Sequence, residues 1–181
     1  MPTGGHLIFF DIKPIAVKAY GGRRYTTVKC LTLLRNQKTR GRFYLFAGYD
    51  AVDGKAHWMF LPGKNSAHVS LFMHQLRRWY PDVDLWVALD QDRAHPCKSR
   101  TTRQVMRELR LRWVSLPKGS PDDNPVENIF SDIQLLILDN SNDPDTQTTQ
   151  RRISAHLRGR NRRSDRFIHI PFLLSKHFHS D

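Results

Sequence analysis

The sequence has few cysteines, a deficit of acidic residues and no long apolar run. Its two cysteines, Cys30 and Cys97, belong to no CxxC pair, which indicates neither a disulfide scaffold nor a structural zinc site and fits a reducing cytoplasm. No apolar stretch approaches the roughly 18 residues that cross a bilayer, and no cationic segment precedes an apolar one at the N-terminus. We therefore expect a cytoplasmic protein with no membrane association.

The charge balance is strongly basic. The 181 residues include 29 Lys plus Arg against 17 Asp plus Glu, so the formal net charge is +12. Such a charge favours a polyanionic partner such as nucleic acid over an acidic small molecule. The length suits one well-buried domain. We predict a core over residues 1–140 and a basic helical segment over residues 141–181, packed on the core or trailing from it.

Apolar and β-branched segments predict the strands. The first covers residues 7–10, is apolar on both faces and ends at Asp11. Two further segments, residues 25–34 and 42–49, are rich in β-branched and aromatic residues, and Asp53-Gly54 is a hairpin signal. We therefore predict three early strands, of which the later ones are antiparallel. Two further strands are predicted at 85–89 and 113–116.

Apolar residues at helical spacing predict the helices. One helix of about four turns begins behind Asn65 and ends before Pro81. A basic amphipathic helix is expected near residues 99–112. The next helix opens with Asn124 as its cap and continues through Ile137. After a polar, linker-like stretch, residues 151–166 show a weaker helical pattern.

Two predicted strands end in a carboxylate, Asp11 and Asp90. The carboxyl ends of neighbouring parallel strands open into one crevice, so these acids are expected to meet there. Two acids repel one another unless a cation lies between them, and Mg²⁺ or Mn²⁺ prefers such oxygen ligands. Glu127, on the first turn of its helix, is the candidate third acid. Each residue also has a structural explanation, since the aspartates could cap loops and Glu127 could complete a capping box.

Three such carboxylates could hold two cations. That pair would activate water or a 3′-hydroxyl and stabilise the leaving oxygen in phosphoryl transfer. His95 follows Asp90 closely in the sequence. It could lie in or beside the site, or it could simply precede the next helix.

Basic residues cluster near the predicted site and near the C-terminus. They could be solvated faces, but the net charge favours contacts with DNA phosphates, which position a duplex without reading its sequence. The predicted DNA-binding residues are Arg23, Arg24, Lys98, Arg100, Arg103, Lys118, Arg151, Arg152, Arg158 and Arg160.

Four segments together resemble a known family. FFD at Asp11, KAYGGRRYT shortly after it, LDQDRAH at Asp90 and LPKGSPDDNPVENIFSDI around Glu127 resemble the catalytic domain of mariner-type DDE transposases, especially their bacterial insertion-sequence branch. The most specific piece, SPDDNPVEN, resembles the Ser-Pro-x-x-Asn-Pro-x-Glu signature of that family. The short interval between Asp90 and Glu127 is also similar.

The resemblance implies an RNase H-like α/β fold with a mixed five-stranded sheet flanked by helices. It implies Mg²⁺-dependent cleavage of transposon ends, with Mn²⁺ as a substitute, and joining of the freed 3′-hydroxyl to target DNA. Asp11, Asp90 and Glu127 would be the catalytic and metal-binding acids, with Gln91, His95 and Asn124 beside them. The implied partners are DNA and a second copy of the chain, and the implied location is the nucleoid of a bacterial cytoplasm.

The sequence departs from the family pattern at two positions and at its beginning. Ile12 stands where Glu usually follows the first acid, and Gln91 stands where Asn usually follows the second. The first acid is already at position 11, so we expect end recognition to come from a separate domain or chain. Two alternatives therefore stay open: a decayed DNA-binding protein without activity, and an RNase H-like nuclease or resolvase. A phospho-receiver domain is disfavoured because Asp11-Ile12 does not match its early acidic pair.

Overall fold

The fold is built on a mixed five-stranded sheet, which confirms the fold class. The computed structural model describes residues 4–19, 38–89, 99–116, 124–139 and 141–163. The sheet order is β3-β2-β1-β4-β5, in which β1 pairs antiparallel with β2 and parallel with β4. The strands are β1 (His6–Ala16), β2 (Arg42–Asp50), β3 (Ala56–Leu61), β4 (Leu85–Leu89) and β5 (Leu111–Ser115).

Helices cover both faces of the sheet. Asn65 and Ser99 are the N-caps of two helices, and the side chain of each accepts a hydrogen bond from a backbone N–H in the first turn. None of the described helices is long and apolar enough to cross a membrane. The helices are α1 (Ser66–Trp79), α2 (Arg100–Glu108), α3 (Val126–Ile133) with a π-helical turn (Gln134–Leu138), and α4 (Thr146–Arg162).

The alternating side chains of β1 separate two apolar cores. Leu7 and Phe9 lie in the core beneath α3 and α4, whereas Ile8 and Phe10 lie in the core beneath α1 and α2. Because successive side chains of a strand face opposite sides of the sheet, odd-numbered positions of β1 face α3 and α4. This alternation decides which helix each later residue of β1 meets.

The predicted element order is confirmed for the described residues, but several boundaries were wrong. The second helix ends at Glu108 rather than near residue 112, β5 begins at Leu111 rather than at residue 113, and α4 begins at Thr146 rather than at residue 151. The first strand does not end at Asp11, because pairing with β2 continues through Ala16 and the buried Ile15 extends the apolar core beyond the acid. The third helix turns π-helical at Gln134, so Leu135 and Leu136 are 64% and 57% exposed rather than buried. The strand expected at residues 25–34 lies outside the described residues.

The C-terminal basic segment forms α4, which Asp145 caps by accepting the Thr148 N–H at 2.6 Å. Ile153 and Leu157 of α4 are fully buried in the core that also contains α3. The boundary proposed near residue 140 nevertheless stays a prediction.

A buried carboxylate ties the opposite end of β1 to its neighbours. Asp50 is fully buried, and its Oδ2 accepts hydrogen bonds from His6 Nδ1 at 2.6 Å and the Tyr80 hydroxyl at 2.5 Å. Its Oδ1 accepts the N–H groups of Val52 at 2.8 Å and Asp53 at 3.3 Å. Burial of Tyr80 and its bond to this carboxylate raise the pKa of the phenol. Four donors therefore satisfy the charge of Asp50.

Replacing Asp50 with Asn is expected to destabilise the fold by about 2 kcal/mol, because the amide NH₂ would meet donors in either orientation. The free energy of unfolding in urea measures the effect. Asp53→Asn, an exposed change in the same turn, is the matched control and should be nearly neutral. Equal stability of the two variants would contradict the structural role of Asp50.

Candidate active site

Asp11 lies in the middle of the central strand, on its α3 side. Its position follows from the alternation of β1, since Asp11 shares the parity of the buried Phe9 and Ile15. The Asp11 carboxylate is half-buried and its Oδ1 accepts the N–H of Ile12 at 2.7 Å. Antiparallel pairing with Ala47 of β2 holds the backbone of Asp11, which fixes the position of the carboxylate.

Glu127 reaches the site from the first turn of α3. Asn124, only 4% exposed, opens this helix by accepting the Val126 N–H on Oδ1 at 3.2 Å and the Glu127 N–H on its backbone carbonyl at 3.0 Å. The next turn buries Ile129 and Phe130 against the sheet. The cap and this apolar face together fix Glu127 over β1. Asn124 therefore positions the first turn of α3.

The carboxyl groups of Asp11 and Glu127 are neighbours. Burial raises the pKa of Glu127 above its ordinary value, and the negative charge of Asp11 and a hydrogen bond shared with it raise it further. The charge of Lys13 opposes this shift. The structure thus brings together two of the three predicted acids, 116 positions apart in the chain, and their mutual repulsion favours a proton or a cation between them.

Lys13 is a member of the site that the sequence interpretation missed. It follows Asp11 by two positions and so faces α3 as well, with its Nζ 5.6 Å from the centre of the Phe130 ring. The alternation of β1 beyond Asp11 would have identified it, but ending the strand at the acid hid that signal.

The second predicted acid follows β4 directly. The parallel pairing of β1 and β4 places Phe9 beside Ala88, and Leu89 is the last described residue of β4. Several predicted residues lie outside the described part of the chain. They are Asp90, Gln91, His95, Arg23, Arg24, Lys98 and Lys118.

The predicted DNA-binding arginines that the structure describes lie on two helices. Arg100 and Arg103 are exposed on α2, which packs on the face of the sheet opposite Glu127. Arg151 and Arg158 are exposed on α4. Two others contact the protein itself. Arg152 pairs with Asp143 at 2.6 Å, and the guanidinium of Arg160 lies 5.6 Å from the Tyr49 ring centre.

Another group of potential metal ligands lies at the amino end of β1. Ligand atoms of His6, Asp50 and Asp53 lie within 4.8 Å of one another. The Oδ2 atom of Asp50 already accepts hydrogen bonds from His6 and Tyr80. This group is therefore satisfied as a protein network, and it is separate from the acids of the predicted site.

The carboxylates of Asp11 and Glu127 suit a hard divalent cation. Both supply oxygen ligands, which Mg²⁺ and Mn²⁺ prefer. Burial and the neighbouring charge of Asp11 both raise the pKa of Glu127, and a cation between the two carboxyl groups would offset their mutual repulsion. The chemistry of this pair therefore fits the predicted metal ions.

Comparison with solved structures shows the same fold in DNA-processing enzymes. The Mos1 mariner paired-end complex with Mn matches with a TM-score of 0.67 at 14% identity, over 84% of this chain and 48% of that chain. The catalytic domain of Mos1 mariner transposase matches with a TM-score of 0.59 at 13% identity, over 84% and 69%. The catalytic core domain of BIV integrase matches with a TM-score of 0.50 at 14% identity, over 87% and 82%.

These matches show that the sheet and its helices form an RNase H-like fold. The chain spans about half the length of the Mos1 chains in the paired-end complexes. No curated protein sequence matches it significantly. The family model described as DDE superfamily endonuclease matches residues 6–151, most of the length of the chain. The chain therefore belongs to the DDE endonuclease superfamily.

Proposed function

We propose that this chain is a DDE transposase catalytic domain, which cuts DNA at transposon ends and joins the freed 3′-hydroxyl to target DNA. The contact between Asp11 and Glu127 carries the proposal, because two acids on separate elements of the fold converge at one point. Family membership and the fold shared with Mos1 support it. Asp11, Asp90 and Glu127 are the proposed catalytic acids.

The register of the sheet supports Asp90 as the third member of this set. Phe9 and Ala88 form the last described pair between β1 and β4. Asp11 lies two residues beyond Phe9, and Asp90 lies two residues beyond Ala88. The assignment of Asp90 rests on this equal spacing and on the sequence resemblance, since Asp90 lies outside the described residues.

The three carboxylates would hold two divalent ions, Mg²⁺ or Mn²⁺. When bound, such ions activate the attacking hydroxyl and stabilise the leaving oxygen in phosphoryl transfer. The contribution of the chain itself is positioning. β1 fixes Asp11, and Asn124 fixes the first turn of α3 so that Glu127 faces the same point.

The location of Ile12 favours an active enzyme over a decayed DNA-binding protein. Ile12 packs against the core beneath α1 and α2, on the face of β1 opposite Asp11 and Glu127. Its departure from the family pattern therefore leaves the Asp11–Glu127 pair unaltered. Gln91, the other departure, lies outside the described residues.

DNA is the proposed partner, and the exposed arginines are its proposed contacts. Arg100 and Arg103 lie at the start of α2, and Arg151 and Arg158 lie on the outer side of α4. Their charges would bind phosphates without reading bases. Action in a homodimer, a separate end-recognition domain or chain, and a nucleoid location belong to the same proposal.

Glu127→Gln is expected to lower the rate of Mn²⁺-dependent nicking of supercoiled plasmid DNA by at least about 100-fold. Loss of a residue that only supports a metal ligand usually lowers activity less than this. Asp11→Asn and Asp90→Asn should have the same effect. Gel separation of nicked and intact plasmid measures it, with circular dichroism confirming the fold.

Asp132→Asn is the matched control for Glu127→Gln, because Asp132 is an exposed acid on the same helix. Its nicking rate should equal that of the wild type. Undiminished nicking by Glu127→Gln would contradict the assignment of the site.

The raised pKa of Glu127 makes the stability of the metal-free protein depend on pH. A raised folded-state pKa gives stability that is present below the unfolded pKa and lost as the pH rises through the folded value. Without metal, the Tm of the wild type should therefore fall relative to that of Glu127→Gln as the pH rises from about 4 to about 7. This interval begins near the ordinary pKa of Glu.

Added Mn²⁺ should reverse this order at pH 7 by raising the Tm of the wild type more than that of the variant. Scanning calorimetry with and without Mn²⁺ measures both effects. Parallel curves for the two proteins at every pH would show that Glu127 does not interact with Asp11 as described.

A further inference from the structure

Lys13 is an unusual residue for its position. It lies on the inner face of the central strand, between Asp11 and the fully buried Ile15 of the same face. Lysine is seldom placed on such a face unless its charge is used. The side chain is half-buried, and its Nζ lies 5.6 Å from the centre of the Phe130 ring.

The ring of Phe130 orients the ammonium without neutralising it. A cation over an aromatic face is attracted by the ring quadrupole and keeps its full charge. Phe130 lies one turn beyond Glu127 on α3, so Lys13 is held beside the two acids. The Lys13 ammonium forms no hydrogen bond or ion pair with the residues that the structure describes. Its three donors are therefore available to a ligand.

The charge of Lys13 acts on the site from a distance. It lowers the pKa of Glu127, against the effects of burial and Asp11. A group that only balanced the acids would be expected to form an ion pair with one of them. Lys13 instead contacts the ring and adds a fixed positive charge where an anionic ligand must approach two carboxylates.

We propose that Lys13 binds a non-bridging oxygen of a DNA phosphate beside the Asp11–Glu127 site. A compact ammonium with three donors suits a single phosphate oxygen. This inference rests on the proposed function, because it takes DNA as the ligand of the site. Lys13 transfers no proton and forms no bond in this role. It holds the phosphodiester next to the acids, and Phe130 sets the direction of the ammonium.

The alternative is a structural role, in which Lys13 only screens the repulsion between Asp11 and Glu127. The two roles differ in their effects on DNA binding, because only a phosphate contact contributes to its salt dependence. If Lys13 only screened the acids, its loss would destabilise the pair and the fold around it. If Lys13 binds phosphate, its loss removes a positive charge near the cation site, so Mn²⁺ should bind at least as tightly as before.

The test compares Lys13→Gln and Lys13→Arg with the wild type, using the full chain. The matched control is Lys64→Gln, an exposed lysine in the loop before α1. A fluorescein-labelled duplex is titrated in Ca²⁺ buffer over a series of salt concentrations. Plasmid nicking in Mn²⁺ and calorimetric Mn²⁺ binding without DNA are measured in parallel.

Lys13→Gln should make DNA binding less dependent on salt. The slope of log K against log salt concentration should become shallower by about 0.9, the value for one lost phosphate contact. Its nicking rate should fall by about tenfold or more, whereas its Mn²⁺ affinity should not fall. Lys13→Arg should retain the slope, and Lys64→Gln should retain the nicking rate.

Weaker Mn²⁺ binding by Lys13→Gln, or an unchanged slope with unchanged nicking, would overturn the inference. If Lys13→Gln does not fold, Phe130→Leu decides, because it frees the ammonium while keeping an apolar contact. This variant should nick more slowly with an unchanged salt slope, and normal nicking would again overturn the inference. Failure of the wild type to bind or nick DNA would instead refute the proposed function itself.

Discussion

The repulsion between Asp11 and Glu127 is the constraint around which this fold is arranged. Two half-buried carboxyl groups lie side by side, and the pKa of Glu127 is raised as a result. Such an arrangement persists only where the surrounding structure determines it. Here the pairing of Asp11 with Ala47 of β2 and the hydrogen bonds of Asn124 to the first turn of α3 provide that structure. β1 and α3 also bring the Lys13 ammonium and the Phe130 ring beside the acids.

Carboxylates lie at two places along β1, and their surroundings differ. At the amino end of β1, the carboxylate of Asp50 is fully satisfied by four donors and joins β1, β2 and the end of α1. Further along β1, Asp11 and Glu127 instead place two carboxyl groups beside one another. The hydrogen-bonded Asp50 carboxylate and the Asp11–Glu127 pair thus lie at different positions along one strand.

The sequence predicted the elements well because their signals are local. Asn65 caps α1 where expected, and β4 covers the predicted residues, whereas α3 begins at Val126 with Pro125 rather than Asn124 at its N-cap position. The continuation of β1 past Asp11 was missed because Lys13 and the exposed Pro14 interrupt its apolar run, and only pairing with β2 reveals the strand. The π-helical turn has no signal in an apolar stretch. The partners of Asp50 come from distant segments, which no periodicity can show.

The most direct test of this account locates the metal. In NMR spectra of the labelled chain, substoichiometric Mn²⁺ should most strongly broaden the backbone amide signals of Ile12 and Glu127. These two amide groups lie close to the carboxyl groups of Asp11 and Glu127. The signals of Val52 and Asp53, in the turn that binds Asp50, should broaden much less, because the effect falls steeply with distance from the ion. Broadening centred on Val52 and Asp53 would place the metal at the opposite end of β1 and contradict the account.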